Sequence, residues 1–441
     1  MSTSIPELSI KSMKWKSGER FSMIIDAETG IPLLDPTVFA MLELRGRGDA
    51  HSTIKQAMHA IRILFLFLNS KAIDIHQRVH KSGRLFEMAE IEELASLCKL
   101  HFSEIKIRLG ASSGAPSSQA SSKFKFKNGV KSLEAFRMRN LSHKVASVNR
   151  GTTNIRLGYI WSYLQWLTAR EIMRMDADSS FQLSTRASVE AALQAIKSKR
   201  IHRGSRKSKL KRMGLTDEVI ARLHEVLDPK SPENPWRSGF NRYRNRLYIY
   251  WLLDVALRKG EALAMTTEDI LFGSGVAKII RRPDNPNDPR VDAPLVKTNE
   301  RELRINNVLL DYTEEYLEMR RSYVNAKKHG YLFVSSRKGE PLSQSGARDI
   351  FYALRRKVPG IPKTLSAHVL RHTWNSLFTM HAFKSNMHDK TREDLMKNQN
   401  GWSDKSKMPN YYSALAIRQK AQQESIKVQE KIHGFKKRKL T

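Results

Sequence analysis

The stretch Ala256-Leu257-Arg258-Lys259-Gly260-Glu261, the first of five ordered motifs, decides how the fold of this chain is interpreted. Val296-Lys297-Thr298 comes next, followed by His368-Val369-Leu370-Arg371-His372, then Gly401-Trp402, and finally Asn410-Tyr411. Together these motifs supply two arginines, a lysine, a histidine, an indole and a phenol. Such groups suit the attack of a tyrosine on a DNA phosphodiester without a metal ion.

Each residue type has a distinct task in that reaction. Arg258 and Arg371 suit the phosphate, because a guanidinium grips two oxygens at once and stays charged. His368 can accept the proton of the tyrosine or hydrogen-bond the phosphate, since an imidazole exchanges protons near neutral pH. Lys297 can act as the general acid for the departing 5′ oxygen, although Lys278 in the neighbouring strand region is an alternative.

In this order and spacing the motifs resemble the tyrosine recombinases, also called the phage integrase family. The resemblance covers about residues 213–420 well and the helical region 48–200 loosely. It implies a mainly α fold with a small β-sheet in the catalytic domain (α+β), together with a helical core-binding domain. It also implies Tyr411 as the nucleophile, Trp402 as a phosphate or packing contact, and Glu261 as a residue that orients Arg258. His372 has a structural role in the family pattern.

Three departures from the family pattern concern the site. Trp402 stands where most members have a second histidine, which is an accepted variant. A second tyrosine, Tyr412, adjoins Tyr411, and the nine-residue spacing from Trp402 favours Tyr411. The stretch between Arg371 and Trp402 is longer than usual in the family and has the character of an insertion.

Composition indicates the kind of partner. The chain has 441 residues, and 77 Lys plus Arg against 44 Asp plus Glu give a formal charge of +33. A polyanion is the expected partner, with nucleic acid ahead of an anionic membrane surface. The longest apolar run, at residues 63–68, is too short to span a bilayer, so we expect no membrane association. The single cysteine, Cys98, cannot form an internal disulfide, which fits a reducing cytoplasm or nucleoid.

Changes in composition, charge and apolar periodicity along the chain predict five segments. They are an N-terminal extension with little core of its own (1–47), a helical core-binding domain (48–196), a basic linker (197–212), the catalytic domain (213–420) and a basic tail (421–441). The linker can be a solvated connection, a tether that follows DNA phosphates, or both at once. Its candidate DNA contacts are Arg203, Arg206, Lys207, Lys209, Lys211 and Arg212.

Periodicity predicts the main secondary structure. Apolar spacing predicts helices over residues 53–69, 86–105 and 152–171, and an apolar helix over 248–257 that leads to Arg258. Short strands are predicted at residues 277–281 and 303–306, with Lys297 in the turn or strand edge between them. The alternating Lys and Phe residues of 124–131 favour a short strand over a basic and aromatic DNA contact.

Taken together, the sequence predicts a site-specific DNA recombinase or integrase that acts through a 3′-phosphotyrosine, for integration or excision of DNA. The expected partner is double-stranded DNA. The resemblance implies a homotetramer on two sites and possible accessory DNA-bending or directionality proteins. No cofactor or metal ion is expected, and the chain has no phosphate-binding loop motif for ATP. The alternatives are a type IB-like topoisomerase, a non-catalytic DNA-binding regulator derived from a recombinase, and, more remotely, a basic RNA-binding protein.

Overall fold

The chain is described here by a computed structural model that covers residues 7–113, 146–177, 179–201 and 214–433. The described residues form two compact units, one from 7–14 and 20–201, the other from 15–19 and 214–433. Helices dominate both units and the sheets are small, so the predicted mainly α fold with a small sheet is confirmed. The six proposed DNA contacts of the linker and the 124–131 segment lie outside the described residues.

The first unit combines a β-hairpin with helices. The hairpin pairs Leu8 with Asp26 at its open end and Lys14 with Arg20 near its turn. A π-helical turn, Ala40–Arg45, continues the first helix. The elements are β1 (Leu8–Lys14), β2 (Arg20–Asp26), α1 (Leu34–Phe39), α2 (His51–Ser70), α3 (Ile75–Ser82), α4 (Met88–Leu97), α5 (Phe102–Ser113), α6 (Arg150–Met173) and α7 (Ser180–Ser198).

The core of this unit forms around α2 and α6, and it includes the N-terminal segment. Phe21, Ile24 and Phe39 are buried in the same apolar cluster as the residues of α2 and α6. The ring of Phe39 meets that of Tyr163 edge-on, with centroids 5.4 Å apart. Residues 7–14 and 20–47 therefore contribute to this core, whereas the sequence predicted residues 1–47 as an extension with little core of its own. The alternation of buried and exposed residues that would reveal this from sequence is absent, since the first five residues of β2 are all buried.

The predicted single helix over residues 86–105 is wrong, because two helices, α4 and α5, occupy this stretch. Between α4 and α5, the backbone of residues 99–101 forms hydrogen bonds with residues 146–148 rather than hydrogen bonds within a helix. The N–H of His101 donates to the carbonyl of Ala146 at 2.8 Å, and the N–H of Val148 donates to the carbonyl of Lys99 at 2.8 Å. A partner distant in sequence thus satisfies the backbone groups that a continuous helix would have used.

The second unit contains the five sequence motifs. Its three strands form an antiparallel sheet in the order β3-β4-β5, with Ala277 opposite Leu303. The elements are α8 (Asp217–Leu227), α9 (Gly239–Asp254), α10 (Lys259–Ala264), β3 (Ile270–Leu271), β4 (Val276–Ile279), β5 (Arg301–Arg304), α11 (Asn307–Arg320), α12 (Gln344–Lys357), α13 (Ala367–Lys384), α14 (Asp389–Asn400) and α15 (Met408–His433).

The buried helix α9 organises this unit, because α11 and α13 both pack against it. It ends at Asp254, earlier than the predicted end at residue 257. The chain leaves the helix through Ala256, whose φ of 56° lies in the left-handed region that alanine seldom adopts. This turn presents the carbonyl of Ala256 to Arg371, as described below. In the described part of the chain, no helix is both long enough and apolar enough to cross a membrane.

Candidate active site

Arg258 stands at the point where α10 begins. Its backbone N–H donates to the Glu261 carboxylate at 2.9 Å, which caps the first turn of the helix. Its guanidinium donates to the backbone carbonyl of Asn400 at 3.2 Å, and its side chain is 37% exposed. A Cβ atom on Gly260 would lie 2.5 Å from the carbonyl of Leu295, so glycine permits this close approach. The first motif thereby packs directly beside the second.

Arg371 lies one turn after His368 on α13, so both side chains lie on the same face of the helix. Its guanidinium donates to the carbonyl of Ala256 at 2.6 Å and to the carbonyl of Asn400 at 2.8 Å. Burial, with the neighbouring charge of Arg258, lowers the pKa of Arg371 to about 9, so it remains charged at neutral pH. Arg258 and Arg371 therefore share one acceptor, the Asn400 carbonyl, and lie side by side.

A single buried carboxylate, that of Glu261, balances this group of cations. Arg301 donates to both of its oxygens, at 3.0 Å and 3.3 Å, and the hydroxyl of Thr298 donates to it as well. Arg371 and Arg258 approach it at 3.8 Å and 3.6 Å. Burial raises the pKa of Glu261, but Arg301, Arg371 and Thr298 outweigh that effect and lower it overall. The carboxylate is therefore ionised at neutral pH.

Arg301 is the residue at this site that the sequence analysis missed. Its side chain is 4% exposed and lies in β5, forty residues from its carboxylate partner in α10. Its guanidinium also donates to the carbonyl of Gln399 at 2.8 Å, to the hydroxyl of Thr298 at 3.2 Å and to the carbonyl of Asn299 at 3.4 Å. No helical or strand spacing links these positions, and only the tertiary fold brings them together.

Lys297 is exposed and lies in the long loop between β4 and β5. Its neighbours fix this part of the loop, because the N–H of Asn299 donates to the carbonyl of Gly401 at 3.1 Å. Gly401 has a φ of 59°, and a Cβ atom there would lie 2.9 Å from the carbonyl of Asn299. The loop thus joins the fourth motif to the second. Lys278, the alternative general acid, approaches Glu302 at 3.9 Å on the sheet.

Two histidines and a tyrosine form a hydrogen-bonded chain. The Nε2 atoms of His368 and His372 are 2.8 Å apart, and the Tyr412 hydroxyl lies 2.6 Å from His372 Nδ1. His368 is exposed, whereas His372 and Tyr412 are buried. His372, which the family pattern makes structural, therefore connects a solvent-accessible imidazole to a buried phenol.

The adjacent tyrosines occupy different environments. Tyr412 is 3% exposed and stacks on Trp402 with an interplanar angle of 11°. Burial raises the pKa of its phenol, and Arg371 opposes that shift. Tyr411 is half-buried, with its ring centroid 6.1 Å from that of His372. Trp402 also lies under Arg371, whose guanidinium carbon is 5.7 Å from the indole centroid. All five motifs of the sequence thus meet in this region of the second unit.

Replacing Glu261 tests the central ion cluster. We expect Glu261→Gln to lower the free energy of unfolding by roughly 3–5 kcal/mol, because buried guanidiniums lose their counter-charge. The carboxylate has a lowered pKa in the folded state, so its contribution is complete above the ordinary value of 4.5 and disappears as the pH falls further. The stability difference between the two proteins should therefore shrink in acid. Thermal and urea unfolding across this pH range would measure it.

Asp394→Asn is the matched control for that experiment, because Asp394 pairs with Lys390 on the surface, where the two side chains are 53% and 69% exposed. An exposed pair contributes about 1 kcal/mol or less, so this control should stay close to the wild type. Equal stability of the two variants at neutral pH would contradict the central role of Glu261.

One family model and several known proteins match parts of this chain. The model of the phage integrase family matches residues 214–416. Transposase A from transposon Tn554 of Staphylococcus aureus (strain Mu50 / ATCC 700699) is 22% identical over 238 residues, which are 53% of this chain and 60% of the transposase. The same transposase of strain N315 matches equally. The chain thus spans about 60% of the length of these curated relatives.

Two solved structures also align. The crystal structure of XerA recombinase is 14% identical, with a TM-score of 0.33, over 88% of this chain and 97% of that one. The Tn1549 transposon integrase in complex with circular intermediate DNA is 14% identical, with a TM-score of 0.39, over 81% of this chain and 98% of that one.

Proposed function

We propose that the chain is a site-specific DNA recombinase of the phage integrase family, since the model of that family matches residues 214–416. It cleaves and rejoins DNA strands through a 3′-phosphotyrosine, for the integration or excision of DNA. The observation that carries this proposal is the pair of arginines, Arg258 and Arg371, held on one carbonyl beside the histidine and tyrosine side chains. The relatedness to a transposase supports a mobile element as the DNA that is moved.

The proposed reaction uses the site residues in a fixed order. Arg258 and Arg371 hold the non-bridging oxygens of the scissile phosphate and stabilise the charge of the five-coordinate transition state. The Tyr411 oxygen bonds to phosphorus while the bond from phosphorus to the 5′ oxygen breaks. His368 accepts the phenol proton, and Lys297 gives a proton to the departing 5′ oxygen. A 5′-hydroxyl of a second duplex then reverses these steps, which restores the tyrosine and the lysine proton.

We propose Tyr411 rather than Tyr412 as the nucleophile. Its spacing from Trp402 supports the choice, as does its half-buried position, which leaves part of the side chain open to DNA. Tyr412 is the second candidate, favoured by its hydroxyl contact with His372 and by its proximity to the charge of Arg371. In our proposal that phenol stays in the protein interior and packs on Trp402.

The proposed partners follow from charge and family. The formal charge of +33 supports binding to double-stranded DNA, with the basic linker residues 203–212 following its phosphates. We further propose a homotetramer on two DNA sites, with α15 docking on a neighbouring subunit, and accessory DNA-bending or directionality proteins. Cleavage of chromosomal or mobile DNA would place the protein at the nucleoid.

Covalent capture tests the proposed function. Wild-type protein and a Tyr411→Phe, Tyr412→Phe double variant would be incubated with genomic DNA of the source organism and quenched in SDS. Protein-linked fragments would then be sequenced. We expect fragments from the wild type alone, and their ends should share a short, nearly palindromic junction. Fragments with scattered ends, together with relaxation of any supercoiled plasmid, would identify a topoisomerase instead. The absence of covalent fragments would indicate a binding protein without cleavage activity.

Chelation provides a separate test of the chemistry. In the proposed mechanism, arginine side chains stabilise the charge of the transition state, and lysine and histidine side chains transfer the protons. We therefore expect the amount of covalent complex to be the same with and without EDTA. Loss of the complex in EDTA, and its recovery on addition of a divalent metal ion, would contradict this mechanism.

A further inference from the structure

The C-terminal end of α14 is the acceptor for three guanidinium groups. The carbonyl of Asn400 accepts from Arg258 at 3.2 Å and from Arg371 at 2.8 Å. The preceding carbonyl, that of Gln399, accepts from Arg301 at 2.8 Å. The last carbonyls of a helix lack partners within the helix and carry a partial negative charge, which favours cations. The segment that looked like an insertion in the sequence thus contacts every arginine of the site.

A pair of buried amides attaches this helix end to α13. The amide of Asn375 donates to the side-chain oxygen of Asn400 at 3.0 Å, and Asn400 donates back to Asn375 at 2.8 Å. Each amide also donates to its own helix, Asn375 to the carbonyl of Arg371 at 2.8 Å and Asn400 to that of Met396 at 2.9 Å. Both side chains are fully buried.

This geometry controls the separation of the arginines. Asn375 lies one turn beyond Arg371 on α13, so the pair connects the backbone that carries Arg371 to the carbonyl that its guanidinium contacts. The same carbonyl holds Arg258, which comes from a different helix. A shift of the end of α14 would therefore move both guanidiniums relative to each other.

We propose that Asn375 and Asn400 are positioning residues that set the spacing of Arg258 and Arg371 for the phosphate. This inference rests on the proposed strand cleavage and extends it to residues that never contact DNA. The amide pair acts through the Asn400 carbonyl, and its contribution lies in the rate of cleavage rather than in DNA binding. Small displacements of groups that hold a reacting centre are costly, on the order of 10²-fold in rate for about 1 Å.

The test replaces both amides by apolar side chains of similar size, in the variant Asn375→Leu, Asn400→Leu. Thr379→Val is the matched control, because Thr379 is buried at the same contact between α13 and α14. Its hydroxyl donates to the carbonyl of Asn375 at 2.7 Å and contacts the Met396 sulfur at 3.6 Å. Each variant would be measured for single-turnover formation of covalent complex, for DNA affinity at fixed salt, and for thermal stability.

We expect the double variant to bind DNA with unchanged affinity and to form the covalent complex roughly tenfold to a hundredfold more slowly. Thr379→Val should cleave at the wild-type rate. A folded double variant with a wild-type rate would overturn the proposal, and so would a loss of DNA affinity with an unchanged rate. Should the double variant not fold, Asn375→Ala, Asn400→Ala provides the same measurement, because it removes both amides without adding a buried charge. Failure of the wild-type protein to form any covalent complex would instead contradict the proposed function.

Discussion

Tyr411→Phe should form no covalent complex with DNA and should still bind DNA as tightly as the wild type. In the proposed mechanism the Tyr411 oxygen bonds to phosphorus, and phenylalanine lacks this oxygen, while the arginines proposed to hold the phosphate are unchanged. The readout is the fraction of labelled DNA that stays with the protein in SDS, alongside the affinity measured before quenching. Mass spectrometry of the nucleotide-linked peptide from the wild type would locate the modified tyrosine directly.

Tyr412→Phe is the matched control, because it removes the neighbouring hydroxyl and retains the ring that stacks on Trp402. We expect this variant to keep forming the covalent complex. The opposite pattern, with Tyr411→Phe active and Tyr412→Phe inactive, would assign the nucleophile to the phenol that contacts His372. Activity in both single variants would show that neither hydroxyl is required.

Arg371→Ala should lower the rate of cleavage by several orders of magnitude. Losing one well-placed donor to a transition-state oxyanion typically costs on the order of 10²–10³-fold, or about 3–4 kcal/mol, and a guanidinium supplies two such donors and a full charge. Arg371→Lys should recover only part of the rate, because an ammonium cannot reach the carbonyls of Ala256 and Asn400 together. Single-turnover cleavage under saturating protein measures both variants.

Arg355→Ala is the control for a general loss of charge or fold. Arg355 also donates to a backbone carbonyl, that of Leu365 at 2.7 Å, but it contacts none of the site residues described here. Its removal should leave the rate near that of the wild type. Normal cleavage by Arg371→Ala would exclude the arginine pair as the phosphate-binding group.

The sequence predicted the general architecture and most of the site motifs because these depend on local pattern. Apolar periodicity found the helix at residues 51–70 and the long helix at 150–173 to within a few residues. It did not find the break between α4 and α5, which results from pairing with residues 146–148. The end of α9 at Asp254 was missed for a similar reason, since the turn at Ala256 presents its carbonyl to Arg371.

The residues that support the site were harder to predict than the motifs themselves. Arg301 meets Glu261 across forty positions, and Asn375 meets Asn400 across twenty-five. Asn375 looks like an ordinary polar residue within a helix. The resemblance to the family implied a structural role for His372, and its contact with Tyr412, which joins α13 to α15, was not visible in the sequence. Such contacts depend on how the helices pack against one another. The assignments of the individual site residues remain predictions.

The ion cluster around Glu261 gives the second unit an unequal balance of charge. One carboxylate faces three guanidiniums, so the free protein concentrates repulsion between like charges where the phosphate is proposed to bind. A bound phosphodiester supplies the missing negative charge, and ligands that bind the folded state stabilise it. Under the proposed function, the second unit is therefore less stable without DNA than with DNA bound. The proposal thus links the free energy of unfolding of this unit to its occupancy by DNA.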